Sequence, residues 1–379
     1  MAAETVTALR SGGVVERCST SVELRDPIGL AAIQPSSLGE DMALARAQTV
    51  TATVGGEFAW IDNGRPFGDK GWVAFDASAD SGRVIGPVAI GMSGPSPHSV
   101  QPAAAVLGSG GAGLFVAWGN GKLSEVTRFS LPFTGAVVFP TSTVEIPNWY
   151  EVQEMIPNEA QNSVDALVRV VGLPGKARTG YALVQISMSR GVLGDPVWLS
   201  TNGSFPPVDL VGANGLGHVF AVIGPTGKQA QGQQLKARVI EADLSTRDVL
   251  RSGELVMPNI WMSNASAEDL TKNGEDLYVF GGRVAGAMLS EEEFAVDFAG
   301  KMFLIDSTTL GVLRSFYLPG VGGKEWQRGL QSWVFPSTSG AGFITVEATP
   351  SEMVRVNGQG SVAARAEECS RFDSVVGPQ

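Results

Sequence analysis

The chain predicts an all-β fold built by repetition, and three observations carry that prediction. One phrase, a Gly-containing turn followed by an apolar run, occurs six times. It reads GGEFAWID (Gly55–Asp62), GAGLFVAWG (Gly111–Gly119), SVDALVRVVG (Ser163–Gly172), GLGHVFAVIG (Gly215–Gly224), GEDLYVFGG (Gly274–Gly282) and GAGFITVEA (Gly340–Ala348). With Phe58, Leu114, Ala166, Val219, Leu277 and Phe343 as anchors, the spacings are 56, 52, 53, 58 and 66 residues. A period of this size marks propellers and arrays. The second observation is punctuation: 48 Gly and 21 Pro divide a chain that is 44% apolar, which suits many short strands joined by tight turns. The third is that no stretch from residue 49 onward sustains a 3.6-residue period with caps.

These observations make the expected architecture a single six-bladed β-propeller of four-stranded blades with an N-terminal arm; six direct repeats favour six, and five or seven blades are also compatible if the N-terminal strands make a further sheet. At 379 residues the length alone suggests two or three domains, but a closed ring makes one domain of many small units. Residues 1–44 are expected to be the arm, packing on the ring or on a neighbouring subunit. Residues 45–379 are expected to form the ring and a short C-terminal tail. In the arm, Val14–Leu24 (VVERCSTSVEL) alternates like a strand, and Asp41–Gln48 is either a helical turn or a lead into the first repeat.

Each repeat divides into strands A to D. In the second they are Ala103–Leu107, Leu114–Trp118, Val126–Leu131 and Val144–Ile146, with Val126, Arg128 and Ser130 alternating with Thr127, Phe129 and Leu131. In the fifth, Leu277–Phe280 is strand B, Lys301–Asp306 strand C and Val312–Leu318 strand D. There MFLIDSTTLGVLRSFYL reads as two β runs around a polar turn, a layout that LKARVIEADLSTRDVL repeats in the fourth. The sixth has Phe343–Val346, Met353–Val356 and Val362–Ala366. The one helical candidate is Ser290–Phe298 (SEEEFAVDF), where Ser290 and Glu293 have capping-box spacing, inside a long B–C insertion of the fifth repeat.

From about residue 45 to 367 the pattern resembles six-bladed β-propellers as an architectural class. The resemblance is one of period and strand grouping, without a repeated WD dipeptide, a kelch signature or a YVTN phrase. It implies radial sheets around a channel with loops on two faces, and it implies no particular activity.

Composition narrows the function. The formal net charge is −11 and Lys and Arg form no cluster, so a nucleic-acid partner is not expected, because phosphate binding needs a basic footprint. No run approaches 18 apolar residues, so no membrane span is expected. The first residues lack an apolar h-region, which gives the expectation of a chain made in the cytoplasm without a signal peptide. Cys18 and Cys369 lie near opposite ends, where a closed ring makes neighbours of distant segments. A disulfide between them would stabilise by roughly 4 to 5 kcal/mol on the chain-entropy model. The alternative is two reduced thiols, as suits a cytoplasmic origin.

Catalytic signals are sparse. Ser78-Ala79-Asp80-Ser81-Gly82 matches half of the Asp-box of sialidase-like propellers, but Val84 and Ile85 replace its Thr/Ser and Trp. The same residues suit any strand-joining turn. The Gly-rich run Gly108–Gly113 joins two strands and lacks the helix N-terminus that cradles phosphate. His98 sits in a Pro-rich connector and His218 beside strand B of the fourth repeat, too little for a metal site. No catalytic residue, metal or other cofactor is assigned.

One recurrence points to binding. Connectors from strand D to the next strand A carry Trp149 and Tyr150, then Trp261, then Glu325, Trp326 and Arg328. In a propeller these connectors crowd one face at the channel mouth, with His98 as a further candidate. Trp, Tyr and Arg are favoured interface anchors. The alternative is that the rings cover gaps between blades. The expected function is a non-enzymatic structural or binding propeller with other protein subunits as partners, oligomeric in its assembly, most simply a phage virion component such as a tail, nozzle or host-adhesion protein. The alternatives are a carbohydrate-binding or carbohydrate-active propeller with a glycan ligand, and a cytoplasmic protein-interaction scaffold.

Overall fold

The structure is a computed structural model. It describes residues 6–8, 14–17, 22–25, 32–33, 50–54, 57–63, 71–78, 83–91, 101–108, 113–119, 124–158, 161–172, 179–201, 203–225, 235–257, 284–298, 301–317, 332–336, 342–347, 352–357 and 359–367. These residues form 29 strands and no α-helix, and no helix among them is long and apolar enough to cross a membrane.

The strands fall into seven sheets taken in chain order, antiparallel except where one added strand pairs in parallel. Blade 1 is β1 (Val6–Ala8), β2 (Val14–Arg17), β3 (Val22–Arg25) and β4 (Ala32–Ile33). Blade 2 is β5 (Val50–Val54), β6 (Glu57–Asn63), β7 (Trp72–Ser78) and β8 (Arg83–Ile90). Blade 3 is β9 (Gln101–Leu107), β10 (Gly113–Gly119), β11 (Ser124–Ser130) and, after the short β12 (Val137–Val138), β13 (Ser142–Ile146). Blade 4 is β14 (Tyr150–Asn158), β15 (Ser163–Val170), β16 (Gly180–Ser187) and β17 (Gly191–Trp198). Blade 5 is β18 (Val208–Ala213), β19 (Val219–Ile223), β20 (Leu235–Asp243) and β21 (Asp248–Met257). Blade 6 is β22 (Val284–Met288), β23 (Glu293–Phe298), β24 (Lys301–Asp306) and β25 (Val312–Tyr317). Blade 7 is β26 (Ser332–Pro336), β27 (Gly342–Glu347), β28 (Glu352–Asn357) and β29 (Val362–Glu367).

The first strands of the sheets meet in sequence, β5 with β9, β9 with β14, β14 with β18, β18 with β22 and β22 with β26. The strand β1 lies against both β5 and β26, which closes the ring. The six repeats of the sequence are therefore blades 2 to 7, and the sheet count exceeds the sequence expectation by one. Segment 1–44, expected to be an arm, holds a four-stranded sheet. Its strands are only two to four residues long, and the run Gly12-Gly13-Val14-Val15 that leads into β2 has only two apolar residues, too few for the period to register it. Val14–Leu24, read as one alternating stretch, is the hairpin β2–β3.

Blade 6 brings two corrections. Ser290–Phe298 is not helical. The Ser290 hydroxyl does accept the Glu293 N–H at 3.1 Å, as in a capping box, and also the Glu292 N–H at 3.2 Å, but it closes the turn between β22 and β23. The residues that follow alternate with a period of two, and Phe294, Val296 and Phe298 are fully buried. Strand B of this blade is therefore β23, a role expected of Leu277–Phe280. Those residues lie outside the described ones, as does Asp41–Gln48. The long insertion precedes the blade, between β21 and β22.

Why the strands assemble radially is visible in their alternation, since successive side chains point to opposite faces. On β10, Leu114, Val116 and Trp118 join a cluster with blade 2, and Phe115 and Ala117 join one with blade 4. On β19, Val219, Ala221 and Ile223 face blade 4, and Phe220 and Val222 face blade 6. β10 and β19 thus read as continuous apolar runs, because both their faces are covered. Rings meet across these interfaces. Trp72 and Trp118 pack edge to face with centroids 6.0 Å apart, and Phe220 and Phe294 lie 5.3 Å apart. The Trp118 indole N–H is satisfied by Thr127 Oγ1 at 2.7 Å.

The turns between strands C and D repeat one device. Asp243, Asp306 and Asn357 end strand C, and each side chain accepts backbone N–H groups two to four residues on. A residue in the left-handed region follows, Arg247 (φ 67°), Leu310 (φ 57°) or Gly360 (φ 84°). These turns also carry contacts between blades. Leu310 rests on Gly253 of β21, where a Cβ would stand 3.1 Å from the Leu310 carbonyl oxygen. At the outer edge of blade 2, β12 leaves blade 3 and pairs in parallel with β8, matching Val137 with Ala89 and Val138 with Ile90.

Phe220→Ala removes a ring from the contact between blades 5 and 6. It is expected to lower the unfolding free energy by about 3 to 5 kcal/mol, read from urea denaturation. A loss below about 1 kcal/mol would show that this interface is not close-packed.

Candidate functional site

In a four-stranded meander, D–A connectors and B–C turns share one face of the ring, and A–B and C–D turns share the other. Among the sequence candidates, Trp149 and Tyr150 are described and lie where expected, on the connector from β13 to β14. The connector is tied down at both ends: the Tyr150 N–H donates to the Pro147 carbonyl, and the Val171 N–H donates to the Trp149 carbonyl, each at 3.0 Å. Trp149 is half-buried and Tyr150 is buried against the cluster between blades 3 and 4, with ring centroids 6.2 Å apart. Burial pushes the Tyr150 phenol up. The neighbouring Trp149 indole pulls the Tyr150 phenol the other way, and among the described residues its buried N–H makes no hydrogen bond of good geometry. His98, Trp261, Glu325, Trp326 and Arg328 lie outside the described residues, as do Cys18, Cys369 and the half Asp-box turn 79–82.

Beside Trp149, blade 4 presents a patch that the sequence reading did not single out. Phe205, on the connector leaving the blade, is 40% exposed. The Arg169 guanidinium, at the end of β15, stacks over its ring at 4.7 Å, and the Tyr181 ring meets it edge-on at 5.6 Å. Arg169 also donates to the Glu151 carboxylate at 3.1 Å, and Val171 is exposed beside it. Burial raises the Tyr181 phenol, with Arg169 opposing the shift.

The loop carrying Phe205 is pinned by its own polar residues. The Ser200 hydroxyl accepts the Tyr181 N–H at 2.9 Å and donates to the Ser204 carbonyl at 2.7 Å. The Gly203 N–H reaches the Thr179 carbonyl at 3.0 Å, with Gly203 in the left-handed region. Arg238 of blade 5 donates to the Leu199 carbonyl at 3.2 Å. The available signal was positional, since Phe205 stands in the next D–A connector after Trp149.

The opposite face holds His218. Its Nδ1 lies 2.8 Å from Oε1 of Glu241, which is 2% exposed. The other oxygen of Glu241 accepts from Arg251 Nε at 2.6 Å, and Arg251 goes on to the Ser307 carbonyl of blade 6 at 3.1 Å. Glu241 is thus a buried carboxylate held between the His218 imidazole and the Arg251 guanidinium, and Arg251 bridges to the next blade. Among the described residues no group of three or more His, Cys, Asp or Glu side chains is placed to hold a metal ion.

No family model matches the chain, and no curated protein matches it. Among solved structures it is similar to the Dos1 propeller, at 9% identity and a TM-score of 0.50, covering 98% of this chain and 85% of that one. It is also similar to KlHsv2 with loop 6CD replaced by a Gly-Ser linker (10%, 0.49, covering 97% and 98%) and to U3-55K (11%, 0.48, covering 92% and 89%). At this identity the likeness to the Dos1 propeller shows the fold alone: the chain is a β-propeller.

Arg251→Ala strips Glu241 of its bridging partner. Removing one partner of a buried pair costs about 3 to 5 kcal/mol. Arg251 is more than a third exposed and His218 remains, so a loss of about 2 kcal/mol is expected in denaturation. Adding Glu241→Gln should recover part of it, and a double variant weaker than the single one would refute this account of the pair.

Proposed function

We propose that this chain is a non-enzymatic binding propeller that works through protein–protein contacts made by the mouth face of blade 4. The observation that carries this reading is the Phe205–Arg169–Tyr181 stack, exposed at its outer side and fixed by hydrogen bonds beneath. Aromatic and Arg side chains that offer area at low entropic cost are the usual anchors of interfaces. Two further polar clusters among the described residues, Glu241 with Arg251 and His218 and the inner-strand carboxyl groups Glu154 and Asp209, are engaged in joining blades. A component of a phage particle, whether tail, nozzle or host-adhesion protein, is the narrower form of this reading. A ring that displays one pre-set patch suits docking between subunits of an ordered assembly.

The test combines light scattering on the purified chain with binding to structural proteins encoded beside its gene. A defined oligomer or complex is expected. Phe205→Ala and Arg169→Ala are each expected to weaken it tenfold or more and to change unfolding free energy by less than about 1 kcal/mol, as surface substitutions do. Association unchanged by both substitutions removes the patch from the interface. Specific glycan binding, weakened by Trp149→Ala, would replace the protein partner with a carbohydrate.

A further inference from the structure

The sequence holds six Asn-Gly pairs, at Asn63, Asn120, Asn202, Asn214, Asn273 and Asn357. In such a pair the backbone nitrogen that follows the asparagine can attack its side-chain amide, because glycine has no Cβ to bar the approach. At Asn214 the fold adds the groups that this reaction uses. The pair lies in the turn from β18 to β19, on the face opposite the mouth. Asn214 is half-buried, and Gly215, Leu216 and Gly217 are exposed, so water reaches the turn.

The turn is closed through its backbone. The Asn214 N–H donates to the His218 carbonyl at 3.0 Å, and the Gly217 N–H donates to the Asn214 carbonyl at 2.9 Å. The Asn214 side chain folds back over Gly215, and its Oδ1 accepts the Leu216 N–H and the His218 N–H, each at 3.0 Å. Two backbone donors aimed at one carbonyl oxygen are the arrangement that stabilises an oxyanion. The facing turn of blade 6 brings a carboxylate. Glu291 Oε1 stands 3.0 Å, and Oε2 3.4 Å, from the point that a Cβ on Gly215 would occupy. That turn is itself held in place, since the Ser307 hydroxyl donates to the Glu291 carbonyl at 2.6 Å and the Ser307 N–H to the Glu292 carbonyl at 2.9 Å.

We propose that Asn214–Gly215 is a self-modification site, where the Asn214 amide cyclises onto the Gly215 nitrogen while the Leu216 and His218 N–H groups hold the oxyanion and Glu291 takes the proton. The Gly215 nitrogen gives its proton to the Glu291 carboxylate and forms a bond to Asn214 Cγ, and the negative charge passes to Oδ1. The carbonyl then re-forms and the bond from Cγ to Nδ2 breaks. Nδ2 leaves as ammonia, carrying the proton that Glu291 took. Water opens the resulting cyclic imide at either carbonyl, which gives aspartate or isoaspartate at position 214. Both products place a new negative charge beside Glu291. The isoaspartyl product also runs the backbone through the former side chain, so the bonds to His218 and Gly217 no longer match. The site is separate from the mouth face of blade 4, and its test needs no partner.

Peptide mapping by mass spectrometry, on the full chain held in neutral buffer for weeks, tests this. Conversion at Asn214 is expected to run at least about tenfold faster in the folded chain than in a synthetic peptide spanning β18 to β19 under the same conditions, a modest share of what an oriented oxyanion site or base contributes. Glu291→Gln, a substitution at an exposed turn position, is expected to bring the rate back toward that of the peptide. A folded-chain rate equal to or below the peptide's overturns the proposal without any variant. A Glu291→Gln chain that converts as fast as the unaltered one overturns it too.

Discussion

Strands such as β10 and β19 have two apolar faces to bury and each sheet has two strand edges to protect, and radial closure is the arrangement that deals with all of them together. Once a strand such as β10 carries Leu114, Val116 and Trp118 on one side and Phe115 and Ala117 on the other, one neighbour is not enough. It needs a sheet on each side, and so does each of those sheets, until the row closes. The ring thus follows from side chains that are apolar on both faces of the inner strands. Its closure by β1 between β5 and β26 joins whole blades face to face, since blades 1 and 7 are each built from one continuous segment.

The edges are handled differently inside and outside. At the inner edge, the N–H groups of Leu210 and Gly286 are taken up by carboxylates from the preceding blade, which turns an unpaired edge into a joint. At the outer edge the devices are bulges and neighbouring turns. The strands β21, β25 and β29 all shift register shortly after the C–D turn, which twists the edge away from further pairing. Leu310 covers Gly253, and β12 adds a fifth strand to blade 2. The same acidic residues that give the chain its negative charge are in part fastenings between blades.

This division explains what could be read from the sequence. Core strands are legible because their periods and apolar content are local properties. The strands read for the second repeat match β9, β10, β11 and β13 to within two residues at each end. Blade 1 escaped because strands of two to four residues carry too few apolar positions to register. Ser290 misled because a hydroxyl accepting the N–H three residues on serves a β turn as readily as a helix start. The candidate site was legible only in part. Trp149 and Tyr150 were found by residue type, but Arg169, Tyr181 and Phe205 come from three separate segments, and only the folded register of β15 and β16 brings them together. Glu154 and Asp209 share that difficulty, since each looks like one acid among 38 until the inner strands are placed side by side.

The same geometry bears on how such a ring can bind. Connectors on the mouth face are not free tails hung on a scaffold. Trp149 is anchored through its carbonyl to Val171, and the loop before Phe205 is anchored through Ser200 and Gly203. A loop held at several backbone points has little conformational freedom left to lose on meeting a partner, so more of the contact energy appears as affinity. Arg169 is held by Glu151 on one side and by Phe205 on the other, which leaves its guanidinium oriented before any partner arrives. Binding strength in this architecture then depends on blade 4 keeping its register against blade 5, where Arg238 grips the Leu199 carbonyl and Glu154 grips the Leu210 N–H. The Glu154 contact and the Arg169–Phe205 stack thus both start from the sheet of blade 4, one at its inner edge and one at its mouth face.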